Sequence, residues 1–132
     1  MTRKKQKTIQ ASVSCTGVGL HTGVESTITF NPAPEDFGIK FIRTDKEDKY
    51  VTPDLDNVID LTRGTTIEEN GIKIHTTEHV LSACAGMGVH NLLIELNSKE
   101  PPVMDGSAKD FVEALVESGI IEQDADVDFL KI

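Results

Sequence analysis

Four histidines are the side chains of this sequence best suited to acid–base or metal chemistry: His21, His75, His79 and His90. His75 and His79 are four residues apart, the interval that places two metal ligands on one face of a helix. Residues 72–74 are typical of a strand, however, so we expect His75 to precede the helix that carries His79. On spacing alone, each histidine is more simply explained as a surface or hydrogen-bonded residue.

The pair Glu78-His79 lies where a helix is predicted to begin. A helix N-terminus favours the neutral imidazole, which is the form of histidine that binds metal ions. A glutamate beside a metal ligand is placed to take a proton from metal-bound water. On these residues alone, the simpler interpretation is preferred, in which Glu78 only complements the helix dipole.

A catalytic zinc ion typically takes three protein ligands and one water molecule. The sequence contains no H-E-x-x-H motif, and Cys15 and Cys84 do not have the spacing of a zinc site. A stand-alone metal site made of His75, His79 and a nearby carboxylate remains as one alternative.

Two other stretches have the composition of turns. Residues 17–23 contain three glycines and suit a close approach to phosphate, but they lack the P-loop and dinucleotide-binding patterns. A tight connection between two strands is the preferred interpretation. Residues 104–107 form a predicted turn before a helix. Asp105 suits a polar site, although turn formation alone accounts for it.

The apolar pattern predicts an α+β fold, a two-layer sandwich in which a mainly antiparallel sheet of about five strands packs against two helices. Strands are predicted at 8–15, 24–30, 38–43 and 91–97, with a hairpin of 64–67 and 72–74 around Asn70-Gly71. Residues 45–60 are predicted to be loop with at most one short edge strand. A first helix at 78–87 has almost no polar face, so we expect it to be covered on two sides. A second helix should begin at Ser107, with Asp110 as its capping-box partner, and end at Gly119.

The composition of the 132 residues restricts the class of protein. The formal net charge of −9 argues against nucleic-acid binding, which requires clustered lysine and arginine. It also predicts that the positive charges that bind an anionic substrate would come mainly from outside these residues. No apolar run approaches the roughly 20 residues of a membrane-spanning helix, and the N-terminus lacks a signal-peptide core. We therefore expect a cytoplasmic protein without a membrane span.

Three stretches together resemble the UDP-3-O-acyl-N-acetylglucosamine deacetylases, which catalyse the committed step of lipid A synthesis in Gram-negative bacteria. They are residues 17–23 (GVGLHTG), 76–79 (TTEH) and 102–108 (PVMDGSA), in this order. The resemblance runs from about Lys7 to the end of the chain. It implies a two-domain, zinc-dependent hydrolase whose active site lies in the cleft between the domains.

The resemblance also implies roles for individual residues. His79 would be a zinc ligand, and Glu78 would be the general base that activates zinc-bound water for attack on the acetamide carbonyl. Leu20 would line the site near the metal with His21. The pair Thr62 and Arg63 would lie in a loop close to the substrate. Asp105 would be a carboxylate that does not bind the metal itself but orients the residues that do.

In the family, the remaining zinc ligands and a catalytic histidine come from a second domain, which has no counterpart in these residues. We therefore expect residues 1–123 to form the N-terminal deacetylase domain, and residues 124–132 to be a linker and the first strand of the next domain. We expect Zn²⁺ to bind this chain weakly or not at all, and the isolated chain to be inactive.

The expected partners are a nucleotide-sugar lipid substrate and the second domain. Exposed apolar surface along the helix at 80–87 would also favour self-association. The alternative to the enzyme is a non-catalytic α+β interaction module of the same fold.

Overall fold

The computed structural model describes residues 4–46, 49–62 and 64–127, which form ten strands and two helices. The strands are β1 (Lys5–Ile9), β2 (Val13–Val18), β3 (Glu25–Pro32), β4 (Ile39–Arg43), β5 (Tyr50–Val51), β6 (Val58–Asp60), β7 (Thr66–Glu69), β8 (Ile72–Ile74), β9 (Leu92–Leu96) and β10 (Ile120–Asp126). The helices are α1 (Glu78–Gly86) and α2 (Lys109–Ser118), and a single 3-10 turn covers Leu55–Asn57.

The central sheet has five strands in the order β2-β3-β9-β4-β5. All neighbours are antiparallel except β4 and β9, which run parallel. A parallel pair needs a long crossover connection, and here that connection contains β5 to β8 and helix α1. The predicted α+β class, with a mainly antiparallel five-stranded sheet and two helices, is confirmed.

One face of this sheet packs against the helices. Ile28 and Phe30 of β3 and Ile94 of β9 are fully buried, because alternate residues of a strand point to the same face. Phe111 of α2 meets Phe30 edge-on, with ring centroids 6.1 Å apart. On the opposite face, the Thr16 hydroxyl shares a hydrogen bond with a β3 hydroxyl. The sheet therefore has one apolar layer and one polar face, as the two-layer prediction requires.

Two smaller sheets flank the central one: an antiparallel pair of β1 and β10, and a three-stranded sheet in the order β6-β7-β8. The predicted β7–β8 hairpin is confirmed. Asn70 and Gly71 both have positive φ, at 57° and 76°, as a two-residue type I′ turn requires. This hairpin leads directly into helix α1.

Several predicted boundaries are corrected. The predicted strand at 8–15 is broken, because the Gln10 N–H donates to the Gly119 carbonyl at 2.7 Å and the chain passes from the β1–β10 pair to the central sheet. Residues 45–60 contain two short strands instead of one. Residues 124–126, predicted to be linker, belong to β10 and pair with β1. The strand predicted near 128–132 lies outside the described residues, and the domain division at 123 stays a prediction.

Helix α2 begins later than predicted and without the predicted capping box. Its N-cap is Ala108, and no side chain caps it. The Ser107 hydroxyl donates instead to Asp105 at 2.7 Å and accepts the Lys109 N–H at 3.2 Å, so it forms part of the preceding turn. The predicted end at Gly119, with φ of 84°, is confirmed.

Helix α1 has a different surface from the one predicted. Val80, Ala83 and Cys84 are buried. The exposed positions of this helix hold Ser82, Ala85 and Gly86, which are too small to form an apolar surface. Exposed large apolar side chains of the described residues lie elsewhere, including Leu20, Leu55, Ile59 and Leu61. The expected surface of large exposed apolar side chains along 80–87 is therefore not found, and self-association stays a prediction. Among the described helices, none has the length and apolar character needed to cross a membrane.

Candidate active site

The carboxylate of Glu78 is fixed at the first residue of α1. Its Oε1 accepts the backbone N–H of Thr65 at 3.1 Å, while Oε2 accepts no hydrogen bond from the described part of the chain. Gly64 lies directly against it, since a Cβ at Gly64 would come within 2.8 Å of Oε2. Gly64 also has φ of +105°, a conformation that side chains rarely allow. One oxygen of Glu78 is thus anchored, and the other is available.

The start of α1 is attached through Thr77 to Thr65, the residue just before β7. The Thr77 N–H and the Thr77 hydroxyl both donate to the Thr65 carbonyl, at 3.0 and 3.1 Å. Thr77 is fully buried, so these bonds are shielded from water. His79 follows as the second helical residue and is half-buried. These bonds to Thr65 hold the first turn of α1, which carries Glu78 and His79, in place.

Glu100 is a buried carboxylate that the sequence-based reasoning did not single out. It is 0% exposed and accepts three hydrogen bonds: from the Thr76 hydroxyl at 2.5 Å and from the N–H groups of His21 and Thr22 at 2.9 and 3.1 Å. Burial acts to raise the pKa of Glu100, but these three donors outweigh it and lower the pKa. Its position directly before Pro101-Pro102, at the edge of the third motif, was the signal in the sequence.

This carboxylate brings the three motifs together. Thr76 belongs to the second motif, and His21 and Thr22 belong to the first. The first and third motifs also pair directly, because the Val103 N–H donates to the Val18 carbonyl at 2.7 Å. A Cβ at Gly19 would meet Glu100 Oε1 at 2.4 Å, so the first motif needs glycine there to close over the carboxylate.

The predicted substrate residues have different surroundings. Leu20 is 55% exposed, and His21 is exposed while its backbone N–H is held by Glu100. Thr62 is exposed, and both its N–H and its hydroxyl donate to Asp60. Arg63 lies outside the described residues. The substrate role of all four stays a prediction.

Asp105 lies in an exposed turn. Its Oδ1 accepts the N–H and the hydroxyl of Ser107, and the hydroxyl bond is the larger cause of a lowered Asp105 pKa. No hydrogen bond joins it to Glu78 or His79 in the described structure. Turn formation accounts for these contacts, and its predicted role behind the ligands stays a prediction.

The described residues do not form a complete metal site by themselves. No three histidine, cysteine, aspartate or glutamate side chains come together there as a possible metal-binding group. Within the described residues, His75 and His79 are therefore not part of such a group. Any catalytic metal at His79 would need further ligands from outside the described residues.

His75 lies in a different environment from His79. As predicted, it precedes the helix. Its Nδ1 lies 3.0 Å from the Thr66 hydroxyl. It lines an open pocket of about 330 Å³ together with His21, Thr22, Asp60, Thr66, Lys99 and Glu100. The predicted site residue His21 and the buried Glu100 thus share one concave surface.

Comparison with known proteins matches nearly the whole chain to one family. The family model described as UDP-3-O-acyl N-acetylglycosamine deacetylase matches residues 6–132. The chain is 52% identical over 128 residues to "Bifunctional enzyme LpxC/FabZ" of Chlorobaculum tepidum, covering 96% of this chain and 27% of that protein. It is 45% identical over 129 residues to the "UDP-3-O-acyl-N-acetylglucosamine deacetylase" of a Psychrobacter species, covering 97% and 43%. The chain thus spans less than half of the length of either relative.

Proposed function

The chain belongs to the family of UDP-3-O-acyl N-acetylglycosamine deacetylases of lipid A biosynthesis, and on that premise we propose that it forms the N-terminal part of a zinc-dependent hydrolase. The reaction is hydrolysis of the acetamide of UDP-3-O-acyl-N-acetylglucosamine. The N-terminal domain of this enzyme includes the described strands and helices as far as the end of β10 at Asp126. The site of action is the cytoplasm of a Gram-negative bacterium.

The geometry of Glu78 carries the proposal. A general base needs a carboxylate that is held in place yet has an oxygen able to accept a proton. The Thr65 N–H anchors Oε1, and Oε2 accepts no hydrogen bond from the described residues. Gly64 leaves the space above Oε2 free of a side chain. Glu78 therefore accepts the proton of the attacking water at Oε2.

His79 is the one metal ligand that we assign to this chain. It is the second residue of α1 and directly follows the proposed base Glu78. A bound zinc ion would lower the pKa of its water and polarise the acetamide carbonyl. The other ligands come from the part of the protein that corresponds to the unmatched length of the relatives. The rigid link from Thr77 to Thr65 keeps His79 and Glu78 in register.

The first motif and the loop at 60–63 form the substrate-facing rim in this proposal. Leu20 and His21 project there from the connection between β2 and β3, and both are exposed. In the sequence, Thr62 and Arg63 lie between the end of β6 and Gly64. Gly64 in turn adjoins the carboxylate of Glu78. Asp105 organises the site through the turn that closes the third motif.

The test is a chimaera in which this chain precedes the part of the Psychrobacter relative that lies outside the match. We expect Glu78→Gln to lower kcat for acetamide hydrolysis by about 10²–10⁴-fold, because a glutamine cannot take the proton. The matched control is Glu113→Gln on the exposed side of α2, which removes the same charge away from the site and should retain activity. Full activity of the Glu78→Gln chimaera would contradict the proposed base.

The chimaera also separates the enzyme from the interaction module. The enzyme requires that His79→Gln abolish both zinc binding and turnover in the chimaera. The interaction module requires no contribution from this residue. A His79→Gln chimaera with unchanged zinc content and turnover would therefore favour the module.

A further inference from the structure

A cationic pocket lies beside the His21 pocket, on a chain whose net charge is −9. It has a volume of about 310 Å³ and is lined by Arg43, Lys46, Lys73, His75 and Lys99, together with the β7–β8 turn. We call it the cationic cleft. It shares His75 and Lys99 with the pocket that contains His21 and Glu100.

The main chain holds the basic side chains at this place. In β8, Ile72 and Ile74 are buried, so strand alternation turns Lys73 outward. The His75 N–H donates to the Lys99 carbonyl at 2.8 Å, which fixes the segment after β9 against the end of β8. Lys73 and Lys99 are thereby carried by segments that are hydrogen-bonded to each other.

Arg43 forms the floor of the cationic cleft. It is 7% exposed, and its guanidinium donates to both carboxylate oxygens of Asp45, at 3.0 and 2.5 Å. A third donor, Nη1, reaches the Lys73 carbonyl at 3.2 Å and ties β4 to β8. Because Asp45 balances the charge of Arg43, the excess positive charge of the cleft comes from the lysines.

Three lysines remain without an ion pair to the described residues: Lys46, Lys73 and Lys99. Two acidic neighbours of Lys46 in sequence, Glu47 and Asp48, lie outside the described residues. The carboxylate of Glu100, beyond His75, is already occupied by three donors. Like charges held together in a concave surface attract counter-ions.

The same charges act on His75. Burial is the largest cause that lowers the His75 pKa, and the nearby charges of Lys99, Lys73 and Arg43 lower it further, against an opposing effect of Glu100. The imidazole therefore adds a neutral hydrogen-bonding group to the cleft near pH 7. The lysine ammonium groups provide the positive charge.

We propose that the cationic cleft binds a phosphate or diphosphate group. Compact, mobile ammonium groups suit tetrahedral phosphate oxygens, and charge-assisted bonds to phosphate are stronger than neutral ones. The group comes from one of two sources. It is either the diphosphate of a nucleotide that extends from the His21 pocket across His75 and Lys99, or a separate phosphate-bearing ligand. The cleft uses neither Glu78 nor His79, and only the nucleotide source rests on the proposed deacetylase function.

Isothermal titration of the protein with pyrophosphate at low ionic strength tests the site. We expect binding that weakens as salt is added, and Lys73→Gln and Lys99→Gln should each weaken it about tenfold, the loss of one charge-assisted hydrogen bond. Lys109→Gln, an exposed lysine of α2 outside the cleft, is the matched control and should bind as the unaltered protein does. Thermal unfolding of each variant shows that the fold is retained.

Parallel titrations with inorganic phosphate and with UDP distinguish the sources. UDP binding tighter than pyrophosphate, and still weakened by Lys99→Gln, supports the nucleotide diphosphate. Phosphate or pyrophosphate binding without UDP binding supports a separate ligand. Failure of all three to bind, or binding that Lys73→Gln and Lys99→Gln leave unchanged, overturns the proposal. All of these measurements report binding and not catalysis. A failed deacetylase assay would therefore not count against the cationic cleft.

Discussion

A single buried carboxylate holds together the parts of the chain that carry the candidate chemistry. Glu100 accepts one bond from the segment that leads into α1 and two from the connection between β2 and β3. A buried charge is costly unless it is satisfied by hydrogen bonds, and here three donors provide that satisfaction. Glu100 thus positions the segments around the site, while Glu78 and His79 carry the proposed chemistry.

Glu100→Gln should lower the free energy of unfolding at pH 7 by about 1–3 kcal/mol, since an amide nitrogen cannot accept bonds from these donors. The folded-state pKa of Glu100 is lowered, so its stabilisation is present above its ordinary pKa and is lost as pH falls through the folded-state pKa. The difference between the two proteins, measured by urea unfolding, should therefore shrink below about pH 4.

The control for this comparison is Glu113→Gln, whose exposed side chain should change the unfolding free energy little. An unfolding difference for Glu100→Gln that stays constant from neutral to acidic pH would contradict the assigned cause. A loss of stability equal to that of Glu113→Gln would contradict the role of the three donors.

At the scale of elements, the connection between the β7–β8 hairpin and α1 decides where the proposed base lies. Thr65, just before β7, receives both bonds from Thr77 and donates one to Glu78. The chain leaves this position through β7 and β8 and returns to it at the first turn of α1. The β7–β8 hairpin therefore returns the chain to its starting point, so that Thr65 lies beside Glu78 at the candidate site.

Gly64→Ala should remove most deacetylase activity of the chimaera. Its positive φ strains any side chain, and the new Cβ would displace Glu78 Oε2. Gly38→Ala is the matched control, because Gly38 also has positive φ, +76°, but its added Cβ would meet no atom within 4 Å. Both variants should lose about 1–3 kcal/mol of unfolding free energy. Equal activity in the two chimaeras would show that the contact with Glu78 does not matter.

At the scale of the whole molecule, the described residues form a packed core but an incomplete site. The core extends over both helices and the central sheet. In contrast, His79 has no two further potential ligands close enough to form a metal group within the described ranges. The chain spans 27% of the Chlorobaculum relative and 43% of the Psychrobacter relative.

The isolated chain should neither bind zinc tightly nor hydrolyse the acetamide, because one histidine does not hold a catalytic zinc ion. Zinc titration with a competing chelator and a deacetylation assay, run on the chain and on the chimaera side by side, provide the measurement. The chimaera should bind zinc and turn over. Micromolar zinc affinity together with turnover by the chain alone would contradict this prediction.

Local sequence determined much of the architecture. The strands at 24–30, 38–43 and 91–97, the turn at Asn70-Gly71 and the start of α1 were predictable, because alternation, turn residues and helix ends are properties of neighbouring residues. The three ordered motifs also determined the family. Errors at 8–15 and 124–126 arose where the pairing of β1 with β10, more than 100 residues apart, overrode the local pattern.

Tertiary structure alone decided the features that depend on distant contacts. The pattern of α1 indicated exposed apolar surface, but its small residues occupy the exposed positions and its large ones meet the core. Glu100 became a central residue because its three donors come from segments at least 24 residues away in sequence. The cationic cleft formed on an acidic chain because strand alternation and one backbone bond from His75 to Lys99 gather lysines that composition counts only as a total.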